Sequence, residues 1–170
     1  DSALDVVAEQ GPATLSLREV ARRAGVSHAA PTHHFADKTG LLTALAAEGW
    51  GLLAEALTEA GAQGGDFGEL GVAYVLFATG HPAHFAVMRA PGLVRDDDPA
   101  LRSAKERAAA LLHEGSSRPD GTADPTMALA GWSLVHGLAT LLLEGTVEPE
   151  PGSDVATLAR SVTRRLWQPR

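Results

Sequence analysis

Between Ser16 and Gly40 four side chains carry a permanent positive charge (Arg18, Arg22, Arg23 and Lys38) and three more are imidazoles, His28, His33 and His34. Only Glu19 and Asp37 oppose them there. Guanidinium and ammonium groups suit phosphate oxygens, and donors of this kind also reach base edges. They do so only when rigid elements present them together. The run Leu17–Ala30 supplies those elements: a short helix, a glycine turn and the start of a second helix. Ser16 is placed to cap the first helix, and Glu19, three residues on, to reach back and complete a capping box. Val20, Ala21 and Ala24 form its inner face, while Arg18, Arg22 and Arg23 point outward. Gly25 falls where the backbone must take a positive φ, and Val26 is expected to plug the angle between the helices. A helix-turn-helix of this kind lays its second helix, here His28–His34, in a DNA major groove.

Other chemistries find little footing. Serine, histidine and aspartate never fall in a nucleophile-elbow or metal-ligand spacing, and no Gly-rich phosphate loop follows a strand. The absence of cysteine excludes disulfides and thiolate sites. His81 and His84, three apart, share a helix face, but the sequence nominates no further ligand beside them. No catalytic, metal or cofactor site is therefore expected. No apolar run is long and uninterrupted enough to span a bilayer, and Asp1-Ser2-Ala3-Leu4 lacks the basic flank and apolar core of a signal peptide. The expectation is a soluble, cytoplasmic chain with no membrane partner. The formal net charge of -7 comes largely from elsewhere, including Asp96-Asp97-Asp98 and Glu148-Pro149-Glu150. A mildly positive head on an acidic body docks on DNA in one orientation and binds it nonspecifically only weakly.

The elements that hold these groups read as all-α, from a composition low in aromatics and rich in Ala and Leu. Leu4, Val7 and Ala8 mark a first helix ended by Gly11-Pro12. Asp37 caps a long helix with Leu41, Leu42, Leu45, Leu52, Leu53 and Leu57 inward, ending near Gly61. The domain boundary is placed inside that helix near Trp50, giving domains 1–50 and 51–170 joined by a rigid lever. An apolar helix spans about Phe67–Thr79, and Gly80-His81-Pro82 breaks it before a short helix. Asp98-Pro99 and Asp124-Pro125 repeat one start signal, an acidic cap followed by proline. Ser153 or Asp154 caps the last helix. Thr126–Glu144 is apolar almost all round, so it is expected to be buried on several sides. Val155, Leu158, Ala159, Val162 and Leu166 make one clean stripe on the last helix. Such a pair either packs on its own copy or closes the core of a monomer; pattern alone does not choose.

Ser16–Ser27, His34-Phe35-Ala36-Asp37-Lys38 and Leu41-Leu42 together resemble the tetracycline-repressor (TetR-like) family of transcriptional regulators. Tyr74, the His81-Pro82 break, the Met88 region and Gly131-Trp132-Ser133-Leu134-Val135-His136-Gly137 resemble a ligand-binding subgroup with a Trp…His-Gly (WHG) signature. The resemblance implies an N-terminal three-helix helix-turn-helix head, joined by a long helix to a C-terminal helical domain for ligand binding and dimerisation. It implies a ligand-responsive regulator, a repressor released from its operator by a small molecule. The partners would be double-stranded operator DNA, a small-molecule effector and a second copy of the chain. In that family His28, Ala29, Ala30, Thr32 and His33 take the groove-facing positions. Arg18, His34 and Lys38 become candidate phosphate or base contacts, His34 packing against Phe35 as well. Thr32 stands where a tyrosine is usual, and His33 where a larger or permanently cationic residue is common. With the acidic total, these departures prompt the alternative of a helical protein-interaction module whose head binds DNA weakly or not at all. Tyr74, Phe77, Met88, Trp132 and His136 would line the ligand pocket, aromatic walls with a few polar groups. Val135 and Leu142, with Val155, Leu158, Ala159, Val162 and Leu166, would form the dimer interface.

Overall fold

The computed structural model describes residues 1–116, 122 and 124–167, with side chains as far as residue 165. Among them the chain is helical and has no strand. The helices are α1 (Ser2–Gln10), α2 (Leu17–Ala24), α3 (Ala30–Phe35), α4 (Lys38–Ala62), α5 (Phe67–Gly80), α6 (Pro82–Met88), α7 (Pro99–Gly115), α8 (Pro125–Leu143) and α9 (Val155–Trp167). A 3-10 turn at Pro12–Thr14 follows α1.

Aspartates start five of these helices by satisfying backbone donors that have no intrahelical partner, Asp66 doing so for α5 by accepting the Glu69 N–H at 3.0 Å. Asp37 accepts from the Gly40 N–H (2.8 Å), Asp98 from Ala100 and Leu101 (both 3.0 Å), Asp124 from Met127 (3.0 Å) and Asp154 from Thr157 (2.7 Å). Pro99 and Pro125 open α7 and α8, where a missing N–H costs nothing. The Asp-Pro start signals of the sequence are thus the starts of real helices.

The helices group into two compact units. The first comprises Asp1–Gly51 with His81–Lys105, and the second Leu52–Gly80 with residues from Glu106 onward, so α4 and α7 each contribute to both. In the first unit Val6 and Val7 of α1, Leu41 and Leu42 of α4, Val87 of α6 and Leu101 of α7 share one apolar cluster. On α1 the inner face is Ala3, Val6 and Val7, whereas Ala8 is exposed. Full burial of a leucine such as Leu42 contributes about 1.5–3 kcal/mol.

In the second unit α5 packs on both α8 and α9, which also touch each other. Gly71 makes that approach possible. A Cβ there would stand 2.9 Å from Val135 Cγ1 and 3.0 Å from Thr163 Cγ2. Glu69 of α5 holds Arg160 of α9 through two hydrogen bonds, 2.7 and 3.0 Å. That carboxylate raises the Arg160 pKa.

Two expectations need correcting. Helix α8 is not buried on several sides: Ala128, Gly131, Val135, Leu138 and Ala139 face inward, while Leu129 (59% exposed), Trp132 (44%), Leu141 and Leu143 lie on the surface. And α4 and α8 are, by length and composition, apolar enough to cross a bilayer, although half of α4's apolar window is buried inside the protein.

Candidate functional site

Helices α2 and α3 meet at a turn whose hydrogen bonds are those of a Schellman motif. Gly25 takes φ 67 and ψ 26; its N–H bonds to the Arg22 carbonyl (3.3 Å), and the Val26 N–H to that of Ala21 (3.1 Å). Val26 does not plug the interhelical angle, since it is 47% exposed. Helix α3 begins at Ala30, two residues later than expected, with Pro31 buried in its first turn. His28 and Ala29 therefore belong to the turn before it. Both are exposed, as are Thr32, His33 and His34, and Ala30 is half-buried. The His33 and His34 rings lie edge to face at 5.7 Å, and His34 lies 6.4 Å from the half-buried Phe35 ring.

The charges of this head are less free than the sequence suggests. Ser16 occupies the N-cap of α2 without a side-chain cap bond, and Glu19 does not reach back to it. Glu19 instead accepts two bonds from Arg22 (2.8 and 2.7 Å) and one from Arg23 (2.8 Å). Arg23 continues to Glu9 of α1 (2.7 Å), fastening α2 to α1. Charge-assisted bonds of this type outcompete a neutral backbone donor for the carboxylate. The guanidinium of Arg22, then that of Arg23, holds the Glu19 pKa down to about 2. The Lys38 ammonium donates to the Ala13 carbonyl, tying the start of α4 to the 3-10 turn. Arg18 is exposed and has no partner among the described residues.

The exit from α3 is conformationally demanding. Ala36 takes φ 64 and ψ -53, and the Asp37 N–H bonds to the Phe35 carbonyl at 2.8 Å. This is the strained form of the γ-turn. A Cβ on Gly40 would stand 1.9 Å from that carbonyl oxygen, so only glycine fits the first turn of α4.

The residues expected to bind a ligand separate into two places. In the second unit Tyr74 and Phe77 are buried on α5, and the Tyr74 hydroxyl lies 2.8 Å from Nδ1 of the half-buried His136. The Trp132 ring lies 5.7 Å from that imidazole and continues to the surface. Met88 lies in the first unit against Gly49, whose added Cβ would come 2.7 Å from the Met88 sulfur. Near it, Nε2 of buried His84 lies 3.5 Å from Glu48, and neither it nor Nε1 of the half-buried Trp50 has a hydrogen-bond partner among the described residues. A cleft of about 280 Å³ in the second unit has other walls, Ala54, Glu55, Thr58, Glu59, Ala62 and Arg107. Among the described residues no three ligating side chains converge as a metal site.

The residues expected at a dimer interface also divide. Val135 and Ala159 are buried within the unit. Leu142, Val155, Leu158 and Val162 are half-buried, and the Leu166 side chain lies outside the described residues. Among the described residues Val26, Leu76 of α5 and Leu129, Trp132, Leu141 and Leu143 of α8 are the large apolar side chains left open; Leu129, Trp132 and Leu143 form a row that the sequence reading did not assign to association. The spacing of three and eleven between Leu129, Trp132 and Leu143 places that row on one face.

A helix-turn-helix head with an exposed second helix, in a chain that is otherwise a helical body, is the architecture of a DNA-binding regulator. Residues 1–45 match the model of bacterial regulatory proteins of the tetR family, and residues 67–166 that of the Tetracyclin repressor-like C-terminal domain. The chain belongs to the tetracycline-repressor family and is a ligand-responsive, DNA-binding transcriptional regulator. Among solved structures it is similar to a protein of unknown function from Rhodococcus sp. RHA1, at 31% identity and TM-score 0.72 over 97% of this chain and 89% of that one. It is also similar to SCO4313 (25% identity, TM-score 0.77, 98% and 92% covered). The multidrug binding protein EbrR, solved with imidazole, is similar at 29% identity and TM-score 0.61 over 98% and 86%. Comparison with curated proteins finds no match.

Proposed function

We propose that this regulator is a homodimeric repressor that a small molecule releases from its operator. Residues 1–50 bind DNA, and residues 51–170 bind the effector and dimerise. The observation that carries the reading is the Gly25 turn, which leaves His28, Ala29, Thr32 and His33 exposed on and before α3, with Arg18, unpaired among the described residues, at the start of α2. In this reading Ala29 and Ala30 contact thymine methyls, His28 and His33 donate to bases or phosphates, and Arg18, His34 and Lys38 fix the register. Two such heads reach successive major grooves when their α3 helices stand about 34–36 Å apart. The effector acts by changing that separation.

Dimerisation is supported by α8, of whose apolar window only 28% is buried. Leu129, Trp132 and Leu143 then meet the second copy, flanked by Leu142, Val155, Leu158 and Val162. Tyr74, His136 and Trp132 form the polar and aromatic part of the effector site. The kinship with EbrR, a multidrug binding protein, supports a small-molecule effector. The reading includes no catalytic step, cofactor or metal, and it places the protein in the cytoplasm with the operator DNA.

Selection from random duplexes by the intact protein tests the proposal. The expected result is an enriched dyad-symmetric site with half-sites one helical turn apart, lost when the effector is added. No enrichment would favour a helical protein-interaction module, a reading that the neutralisation of Arg22 and Arg23 by Glu9 and Glu19 makes specific.

A further inference from the structure

The α3–α4 junction is gripped from outside the helix-turn-helix. Asp37 uses both carboxylate oxygens: Oδ1 accepts the Gly40 N–H (2.8 Å) and Oδ2 accepts Arg95 Nη2 (2.7 Å). Arg95 lies between α6 and α7, 58 residues further along the chain. An exposed ion pair by itself contributes little, because two long side chains must be ordered to make it. Here the arginine's backbone is already fixed, so only its side chain has to be ordered. Its backbone N–H donates to Thr43 Oγ1 at 2.9 Å, and Thr43 is 3% exposed with its own hydroxyl bonded to the Thr39 carbonyl (2.7 Å). Its guanidinium passes over Gly40, with Nη1 3.0 Å from where a Cβ would stand. The same glycine admits the Phe35 carbonyl, so one missing side chain makes room for both the strained exit of α3 and the arginine that braces it.

We infer that Arg95 is a positioning residue for DNA recognition: through Asp37 it holds the exit of α3 at the angle at which that helix meets the duplex. The γ-turn at Ala36 is a conformation that persists only when its surroundings over-determine it. Asp37 donates the hydrogen bond that closes the turn and accepts the one that starts α4, so the orientation of α3 against α4 passes through this residue. Arg95 fixes that carboxylate to the segment after α6. The inference rests on α3 being the DNA-reading element.

The test uses the full-length protein and the duplex it selects. Asp37→Asn keeps an oxygen for the Gly40 N–H and removes the charge that Arg95 holds; Arg95→Gln removes the other half. Each is expected to weaken binding about three- to tenfold, and the double variant no more than the worse single, as partners in one interaction do. The slope of log affinity against log salt stays at the wild-type value, since no phosphate contact is lost. A slope smaller by about 0.9 for Arg95→Gln, with Asp37→Asn neutral, would show that Arg95 binds phosphate directly and overturn the assignment. Unchanged affinity in both variants would overturn it as well. Amide exchange at Ala36 and Asp37 supplies a readout without DNA: both should exchange faster in Arg95→Gln, and unchanged rates would remove the clamp. A wild-type protein that selects no duplex would count against the functional reading, while the exchange rates would still report on the clamp.

Discussion

Arg18 and Glu19 are neighbours with opposite fates. Arg18 remains open to a ligand, whereas Glu19 is consumed by Arg22 and Arg23. If Arg18 reads a base edge, Arg18→Ala lowers operator affinity by about 1–3 kcal/mol and relaxes preference at one position; a titration at fixed salt with related duplexes measures both. Glu19 makes a pH prediction whose sign is set by its depressed value. The folded protein holds its pKa down to about 2, against an ordinary carboxylate at 4.5, so the unfolded chain takes up the proton first as pH falls. Its contribution to stability is whole above pH 4.5 and is lost as pH falls towards 2. Denaturant unfolding of wild type and Glu19→Gln across that range should show a difference that shrinks with acidification. The capping box was the natural reading of Ser16 and Glu19 from spacing. Two guanidiniums within one turn, and a second acid on α1, decided otherwise, and only the folded arrangement brings Glu9 to Arg23.

Helix starts were the readable part of the elements, because an Asp-Pro pair acts within four residues and needs no tertiary help. Asp98, Asp124 and Asp154 cap as their sequence contexts indicate. The boundaries of α3 were not readable, since six residues carry too little periodicity and His28 and Ala29 suit a turn as well as a helix. Nor does any local pattern mark Ala36, an alanine in a conformation that favours glycine, or Arg95, whose partner is far off in sequence. These residues give two substitutions of opposite sign. Gly40→Ala drives a methyl to 1.9 Å from the Phe35 oxygen and should destabilise the protein by about 1–3 kcal/mol. Ala36→Gly relieves the positive φ and should leave stability equal or higher by up to about 1 kcal/mol. Equilibrium urea unfolding at constant m-value reads both.

For the whole molecule, the sequence reading assigned association to α8 and α9, and the structure adds that α8 leaves an apolar row exposed. The α9 stripe is apolar because Ala159 and its neighbours pack within the unit, and periodicity counts a buried face without saying what covers it. On α8 both faces are apolar, so no period could separate inside from outside. The exposed row of α8 now carries the prediction. Leu129→Glu with Trp132→Glu should convert a dimer to a folded monomer in light scattering, with helical circular dichroism retained, and should abolish binding to a dyad-symmetric duplex.

That row has a consequence for dosage. In the proposed dimer a second copy covers that face, which ties the stability of each chain to how many chains are present. The thermal midpoint should therefore rise with protein concentration. In a cell, operator occupancy should fall more steeply than in proportion when copy number drops, because dilution removes the reader before it empties the site.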